Sequence, residues 1–351
     1  MRTLEFLVQE AIEPAHGLAT DRHCLNGFQR SGRAPLAVLR VFAMSGERIS
    51  AGRYHRLGAG ARDKGVWRRL SGGRAATFGD GMLGFSLLLP HRSALVSEAP
   101  LALAPYQVPN RYVRGLLRAL RNLGVDAFYP GRDFVTVNRK SMGMVTFDVD
   151  EHGALVFEGV LAIDRPFEIR HAAELSGESD GGIQQEIFSR EITTSLTAEC
   201  GRAQSVVEVA EALAAAYAEQ FQLDVRRREF SPLEKQAITA IEGREFGNGW
   251  GLGAAARPEL DHRGVTSIAL GIFEARMAVE QGRFIRDVQF SGDFIASAPA
   301  VETLERELRL CPADWGSIAM IADRVFAPQE SFILGIGKVR TIADTILKAI
   351  G

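Results

Sequence analysis

Two apolar runs, Met144-Val145-Thr146-Phe147-Asp148-Val149 and Ala154-Leu155-Val156-Phe157, are separated only by Asp150-Glu151-His152-Gly153. So short a connection joins antiparallel neighbours, because parallel strands need a crossover of a dozen residues or more. Asp150 and Gly153 are turn formers, so the segment predicts a hairpin. Phe134-Val135-Thr136-Val137 precedes it as another short strand. Upstream, Ala37–Phe42, Ile49–Tyr54 and Phe85–Leu89 read as strands punctuated by Ser45-Gly46-Glu47, Ser71-Gly72-Gly73 and Pro90. Val113, Leu116, Leu117, Leu120 and Leu123 fall on one helical face, with Gly124 as a stop. Hairpins with helices between them are not the strand–helix alternation of a doubly wound sheet. The expected fold is therefore α+β, with mixed, largely antiparallel sheets and packed helices.

Further along, Ser205-Val206-Val207-Glu208 forms a capping box, and Ser231-Pro232 places proline in the first turn of another helix. Gly247-Asn248-Gly249-Trp250-Gly251-Leu252-Gly253 then breaks the pattern as a linker or hinge. Beyond it, Phe273, Ala275, Met277 and Val279 alternate with Glu274, Arg276, Ala278 and Glu280, which predicts a hairpin with one wet face, turned at Gln281-Gly282. Val301, Leu304 and Leu308 mark one amphipathic helix, and Ile342, Ile346, Ala349 and Ile350 another. The expected organisation is a domain over residues 1–244, a glycine-rich linker over 245–260 and a small α+β domain over 261–351, docked on the first.

The 351 residues carry 41 basic and 43 acidic groups, a net charge of -2, so no global field draws in nucleic acid. No run approaches the ~18 apolar residues of a membrane span, and the N-terminal residues have no secretory pattern. Cys24, Cys200 and Cys311 are odd in number and far apart, which predicts neither a disulfide framework nor a paired metal site. The expectation is a cytoplasmic protein, with no nucleic-acid and no membrane partner.

Common catalytic signatures are missing. There is no His-Glu-x-x-His and no Cys-x-x-Cys; Gly335-Ile336-Gly337-Lys338 lacks the P-loop spacing, and Gly58-Ala59-Gly60 lacks the third glycine of a dinucleotide fingerprint. Asp148 and Asp150 read as a solvated hairpin end. Two segments remain. In Arg68-Arg69-Leu70-Ser71-Gly72-Gly73-Arg74, glycines let backbone N–H groups approach an anion, and Arg69 and Arg74 flank the turn. A plain β-turn with solvated arginines fits the same residues. In Gly131-Arg132-Asp133 through Arg139-Lys140-Ser141-Met142-Gly143, a lysine follows a strand, either exposed on a turn or placed as a point charge. Only five of the 41 basic residues are lysines, which makes Lys140 more informative than usual.

Together these segments resemble the lipoate–protein ligase family, within the group that includes biotin–protein ligases and octanoyl transferases. Arg68 to Gly73 is similar to its Arg-Arg-x-Ser-Gly-Gly signature, and Arg139 to Gly143 to its Arg-Lys-x-x-Gly motif. Ser50-Ala51-Gly52-Arg53, Gly131-Arg132-Asp133, Gly159-Val160-Leu161 and Thr194-Ser195-Leu196 resemble further elements in the same order, and Gly282 through Leu308 resembles the accessory domain. The resemblance implies an ATP-dependent ligase that activates lipoate or octanoate as acyl-AMP and passes it to a lysine. The lysine would belong to a lipoyl carrier domain or a glycine-cleavage H-like protein. It further implies that Lys140 is catalytic, and that Arg69, Ser71, Gly72, Gly73, Arg74, Ala75, Ala76, Thr77, Gly79, Lys140 and Gly143 bind ATP and the acyl-adenylate. Lys140, Phe157 and Gly159 would touch the acyl group. Magnesium is implied with ATP, without assigned ligands.

The chain departs from the family pattern where Phe78 replaces a histidine, Arg74 a third glycine and Phe157-Glu158 a histidine-type pair. Gly79-Asp80-Gly81 is closer to the transferase-type turn, and Met142, Met144 and Phe147 are bulkier than usual. Two alternatives stay open: a transferase of the same fold using a cysteine, for which Cys200 is poorly placed, and a non-catalytic acyl- or carrier-binding relative.

Overall fold

The computed structural model describes residues 2–30, 37–58, 61, 65–178, 192–247, 257, 259–280 and 283–351. The first half contains β1 (Thr3–Gln9), α1 (Pro14–Arg30), β2 (Ala37–Phe42), β3 (Glu47–Ala51), β4 (Val66–Arg68), β5 (Ala75–Gly79) and β6 (Met82–Leu89). Next come α2 (Val108–Asn122), β7 (Phe134–Val137), β8 (Lys140–Val149), β9 (Leu155–Ala162), β10 (Ile169–Arg170), α3 (Ala172–Ser176), α4 (Leu196–Cys200), α5 (Val206–Phe221), β11 (Asp224–Arg227) and α6 (Pro232–Ile241). The C-terminal unit has β12 (His262–Ile268), β13 (Gly271–Glu280), β14 (Phe284–Gly292), β15 (Ile295–Ala296), α7 (Ala298–Glu307), α8 (Trp315–Val325), β16 (Ile333–Leu334) and α9 (Thr341–Ile350).

A seven-stranded sheet in the order β11-β1-β2-β6-β9-β8-β7 organises the first part, and a smaller sheet β10-β5-β3-β4 faces it. In the large sheet β1 runs parallel to β2 and β11, and the other neighbours are antiparallel. The α+β expectation holds. Alternation along the central strands decides which layer each side chain joins. Val145, Phe147, Leu155, Phe157 and Leu161 pack toward α2 and α5. Met144, Val156 and Val160 pack on the other face, with Trp67, Ala76 and Phe78 of the small sheet.

Local signals read from the sequence recur as formed. Asp150 Oδ1 accepts N–H bonds from His152 and Ala154, both 2.9 Å, closing the hairpin. Ser205 and Glu208 cap α5 reciprocally, and Ser231 and Glu234 do the same for α6. Gly124 stops α2 with φ +90°. Two expectations need correction. Asp148 is not part of a solvated turn: it lies within β8, one residue before its end, and is 4% exposed. The expected wet face of the β13–β14 hairpin is covered only at one end: Glu274 is 4% exposed and pairs with Arg56, Arg263 and Arg276, whereas Glu280 is exposed. Of the expected linker, residues 248–256 and 258 lie outside the described residues, as does the Gln281-Gly282 turn.

The C-terminal unit has its own core, with Phe273, Met277, Ile285, Leu304, Ile318 and Ile342 buried together. It docks by aromatic stacking: Tyr54 on Phe294 at 4.3 Å and Phe147 on Phe332 at 5.1 Å between ring centroids.

Candidate functional site

The bend between β4 and β5 is held from within by Arg69, whose side chain is 2% exposed. Its guanidinium donates to Ser71 Oγ at 3.2 Å and to the carbonyls of Ser50, Gly72 and Arg74 at 3.3, 2.6 and 2.7 Å. Burial pulls this guanidinium down to about 10, and Glu158, Asp133 and Asp293 pull it back up. Glu158 Oε1 accepts the Ser71 N–H at 3.1 Å and the Ser71 hydroxyl. Burial raises the Glu158 carboxyl; Arg69 and the Ser71 bonds act against it. The Gly73 N–H donates to the Phe294 carbonyl of the C-terminal unit at 2.7 Å, and Thr146 Oγ1 donates to the Gly72 carbonyl at 3.0 Å. The bend amides thus meet oxygen acceptors supplied by the chain itself.

Glycine is required here for close approach. A Cβ on Gly52 would lie 2.1 Å from the Gly73 carbonyl oxygen, and one on Gly72 would lie 2.3 Å from that of Phe294. Gly52→Ala is expected to destabilise the protein by ~1–3 kcal/mol, the usual cost of overpacking. A lower urea midpoint checks this, and an unchanged midpoint contradicts it.

Arg74 turns inward. Its guanidinium donates to Asp133 at 3.0 Å and lies 4.2 Å above the Phe134 ring, with Arg74 and Asp133 each 1% exposed. Ala75, Ala76, Thr77 and Gly79 form β5, whose backbone pairs with β3 and β10. Thr77 also bonds the main chain of Glu168, with Thr77 N to Glu168 O at 2.9 Å.

The second motif lies apart from the bend. Lys140 opens β8, its side chain 49% exposed and its Nζ 3.8 Å from Glu199 Oε1. Thr146 touches the bend, and at ~3.3 Å per residue the six residues back to Lys140 span on the order of 20 Å. Gly143 lies within the β8–β9 pairing, where a Cβ would sit 2.5 Å from the Val160 carbonyl oxygen. Phe157 and Gly159 face the helix layer, on the opposite side of the sheet from the bend. Phe157 packs there against Phe85 and Tyr112, and a Cβ on Gly159 would run into the Phe85 ring. Period-2 alternation is the reason: Glu158 points at the bend, so both its neighbours point away. Cys200 ends α4, with Sγ 3.1 Å from the Arg202 carbonyl oxygen, and Ser195 caps the same helix.

Two polar residues missed in the sequence, Glu158 and Asp148, line the bend's side of the sheet. Their signal is parity: on buried strands, Thr146, Asp148 and Glu158 share the face of Met144, Val156 and Val160. Arg53 Nη1 reaches Asp148 Oδ2 at 3.4 Å, and the Val149 N–H reaches Oδ1 at 2.8 Å. Burial raises the Asp148 carboxyl to about 7, against the pull of Arg53. A raised carboxyl favours the protonated fold, so its contribution is full below the unfolded value of ~3.9 and is lost as pH rises through about 7. Asp148→Asn is therefore expected to raise the thermal midpoint at pH 8 relative to the native chain and to change it little near pH 4. Equal effects at the two pH values would contradict this.

The C-terminal unit completes the surroundings. His55 Nδ1 accepts the Gly52 N–H at 2.9 Å, and Nε2 reaches Asp293 Oδ1 at 2.9 Å. Among the described residues no three His, Cys, Asp or Glu side chains converge to hold a metal ion. No described helix is long and apolar enough to cross a membrane.

This architecture is the fold of lipoate–protein ligases. Among solved structures, LipL1 of P. falciparum in complex with lipoate superposes with a TM-score of 0.64 at 13% identity, covering 92% of this chain and 94% of that one. Lipoate-protein ligase A bound with ATP matches with a TM-score of 0.55 at 17% identity, over 72% of this chain and 99% of that one. A bipartite lipoate protein ligase from Thermoplasma acidophilum, described with its E2 lipoyl domain, matches with a TM-score of 0.55 at 18% identity, over 73% of this chain and 98% of that one. No family model matches the sequence, and a search of curated proteins finds no match.

Proposed function

We propose that this protein is an ATP-dependent lipoate–protein ligase. It activates lipoate or octanoate as acyl-AMP and transfers the acyl group to a lysine of a lipoyl carrier domain or a glycine-cleavage H-like protein in the cytoplasm. Residues 1–244 carry the chemistry, and residues 261–351 form the accessory domain, joined through 245–260. One observation carries the reading: within this fold, the Ser71 and Gly73 amides each hold an oxygen acceptor, the Glu158 carboxylate and the Phe294 carbonyl. A bend built to hold such oxygens suits an acyl phosphate, whose charge is stabilised by fixed N–H donors. Arg69 fixes the bend, Gly72 and Gly73 present amides, and Lys140 supplies the movable point charge. Neutralisation matters because the carboxylate and the α-phosphate repel each other as they meet. Magnesium accompanies ATP in this reading, held largely by the phosphates, and no protein ligand is assigned to it.

In the arrangement described, Phe294 occupies the Gly73 amide and Lys140 stands apart from the bend. The ligase reading therefore requires the C-terminal unit to leave the bend and the lysine-bearing end of β8 to close on the substrate. The same two facts favour a second reading, a non-catalytic relative that binds the acyl group or the carrier. Lipoate-dependent exchange of labelled pyrophosphate into ATP, together with lipoylation of a carrier domain, tests the ligase. Binding of lipoyl-adenylate without either reaction would establish the non-catalytic relative.

A further inference from the structure

A cleft of about 430 Å³ opens where α1, the β8–β9 hairpin and α7 meet. Its volume lies in the ~300–1,000 Å³ range of small-molecule sites. Leu70, which directly precedes Ser71, lines it, as does Val156, on the same sheet face as Glu158. The cleft therefore borders the bend rather than a remote surface. Its walls carry five carboxylates, Asp148, Asp150, Glu151, Glu245 and Glu302, against two guanidiniums, Arg22 and Arg53. That excess suits a cation and opposes a nucleotide or a fatty acid. Glu151 and Glu302 are exposed, whereas Asp148 is buried.

We infer that this cleft receives the ε-ammonium of the acceptor lysine and that Asp148 is the catalytic base that takes its proton. This rests on the ligase reading above. The cleft has the required polarity, and its inner wall adjoins the bend at which the acyl phosphate is placed. The charged groups around Asp148 come from several elements. Arg53 lies at 3.4 Å, Arg22 projects from α1, Glu158 from β9 and Glu302 from α7, and Glu245 follows α6. Burial, with Glu158 beside it and against the two arginines, sets the Asp148 carboxyl at about 7, so much of it is ionised and basic at neutral pH.

The ammonium gives one proton to the Asp148 carboxylate. The neutral amine attacks the acyl carbonyl of the acyl-adenylate and forms a C–N bond. As the C–O bond to the phosphate breaks, the nitrogen's second proton leaves with AMP. The products are the amide, AMP and a protonated Asp148, which then returns its proton to water.

The test uses the full chain with preformed lipoyl-adenylate and Nα-acetyl-lysine amide as the acceptor, followed in a single turnover. In the native chain, transfer is expected to rise through pH about 7. In Asp148→Asn it is expected to fall at least ~10-fold and to keep only the rise due to the amine itself. Asp148→Glu should recover part of the rate. Pyrophosphate exchange, in which Asp148 takes no part, should proceed in all three proteins and reports that each is folded. Intact exchange with unaltered transfer in Asp148→Asn overturns this inference alone. Absence of exchange in the native chain overturns the ligase reading and this inference with it.

Discussion

Lys140→Ala is expected to lower lipoate-dependent pyrophosphate exchange by ~10²–10³-fold, the usual effect of removing one donor to developing charge. Its stability should hardly change. The side chain is half exposed and its nearest carboxylate is Glu199 at 3.8 Å. Surface pairs of that kind contribute about 0–1 kcal/mol. A mutant that melts like the native chain yet fails to exchange would assign the loss to chemistry rather than folding. Arginine at this position should not restore the rate, because a planar fork cannot replace a compact ammonium between two oxygens. An unchanged exchange rate in Lys140→Ala removes the residue from the mechanism and shifts the balance to the non-catalytic relative.

The second large effect is structural. Arg69→Met is expected to cost ~3–5 kcal/mol, because buried acceptors lose their charged donor at ~1–3 kcal/mol each. The substitution takes this donor from the carbonyls of Ser50 and Arg74, leaves Gly72 only its bond from Thr146, and removes the opposing charge that lowers the buried Glu158 carboxyl most. Lysine should not rescue it, since one ammonium cannot reach Ser71 Oγ and the carbonyls of Ser50, Gly72 and Arg74 together. Adding Glu158→Gln to Arg69→Met should recover part of the loss by removing the stranded charge. Urea unfolding measures all three proteins. A loss below about 1 kcal/mol in Arg69→Met would mean that the bend does not depend on this guanidinium.

Much of the fold was legible because its signals are local. The hairpin around Asp150, the box at Ser205 and Glu208 and the stop at Gly124 each follow from residues within a few positions. What escaped was non-local. β1 pairs in parallel with β2 and with β11, more than 200 residues away in sequence, and nothing in Thr3–Gln9 announces those partners. Asp148 and Glu274 looked wet because each sits beside turn or polar residues. Distant elements change both: Asp148 sits within a cleft whose other walls come from α1 and α7, and Arg56 reaches Glu274 from the other unit. The bend was legible as a bend, but the oxygens it holds were not, since Glu158 and Phe294 come from far along the chain. Strand parity does fix the neighbours of such a residue. Once Glu158 is placed toward the small sheet, Phe157 and Gly159 must join the helix layer.

The Phe294 carbonyl on the Gly73 amide makes the C-terminal unit an internal rival for that donor. Any external oxygen that claims the amide must first evict a tethered one, so its apparent affinity falls by the fraction of molecules in which the rival is absent. The linkage is reciprocal: whatever occupies the amide loosens the grip of the unit on the rest of the chain, by the same free energy with which that grip resists occupancy. One peptide hydrogen thus sets an exchange rate between holding a ligand and holding the molecule closed.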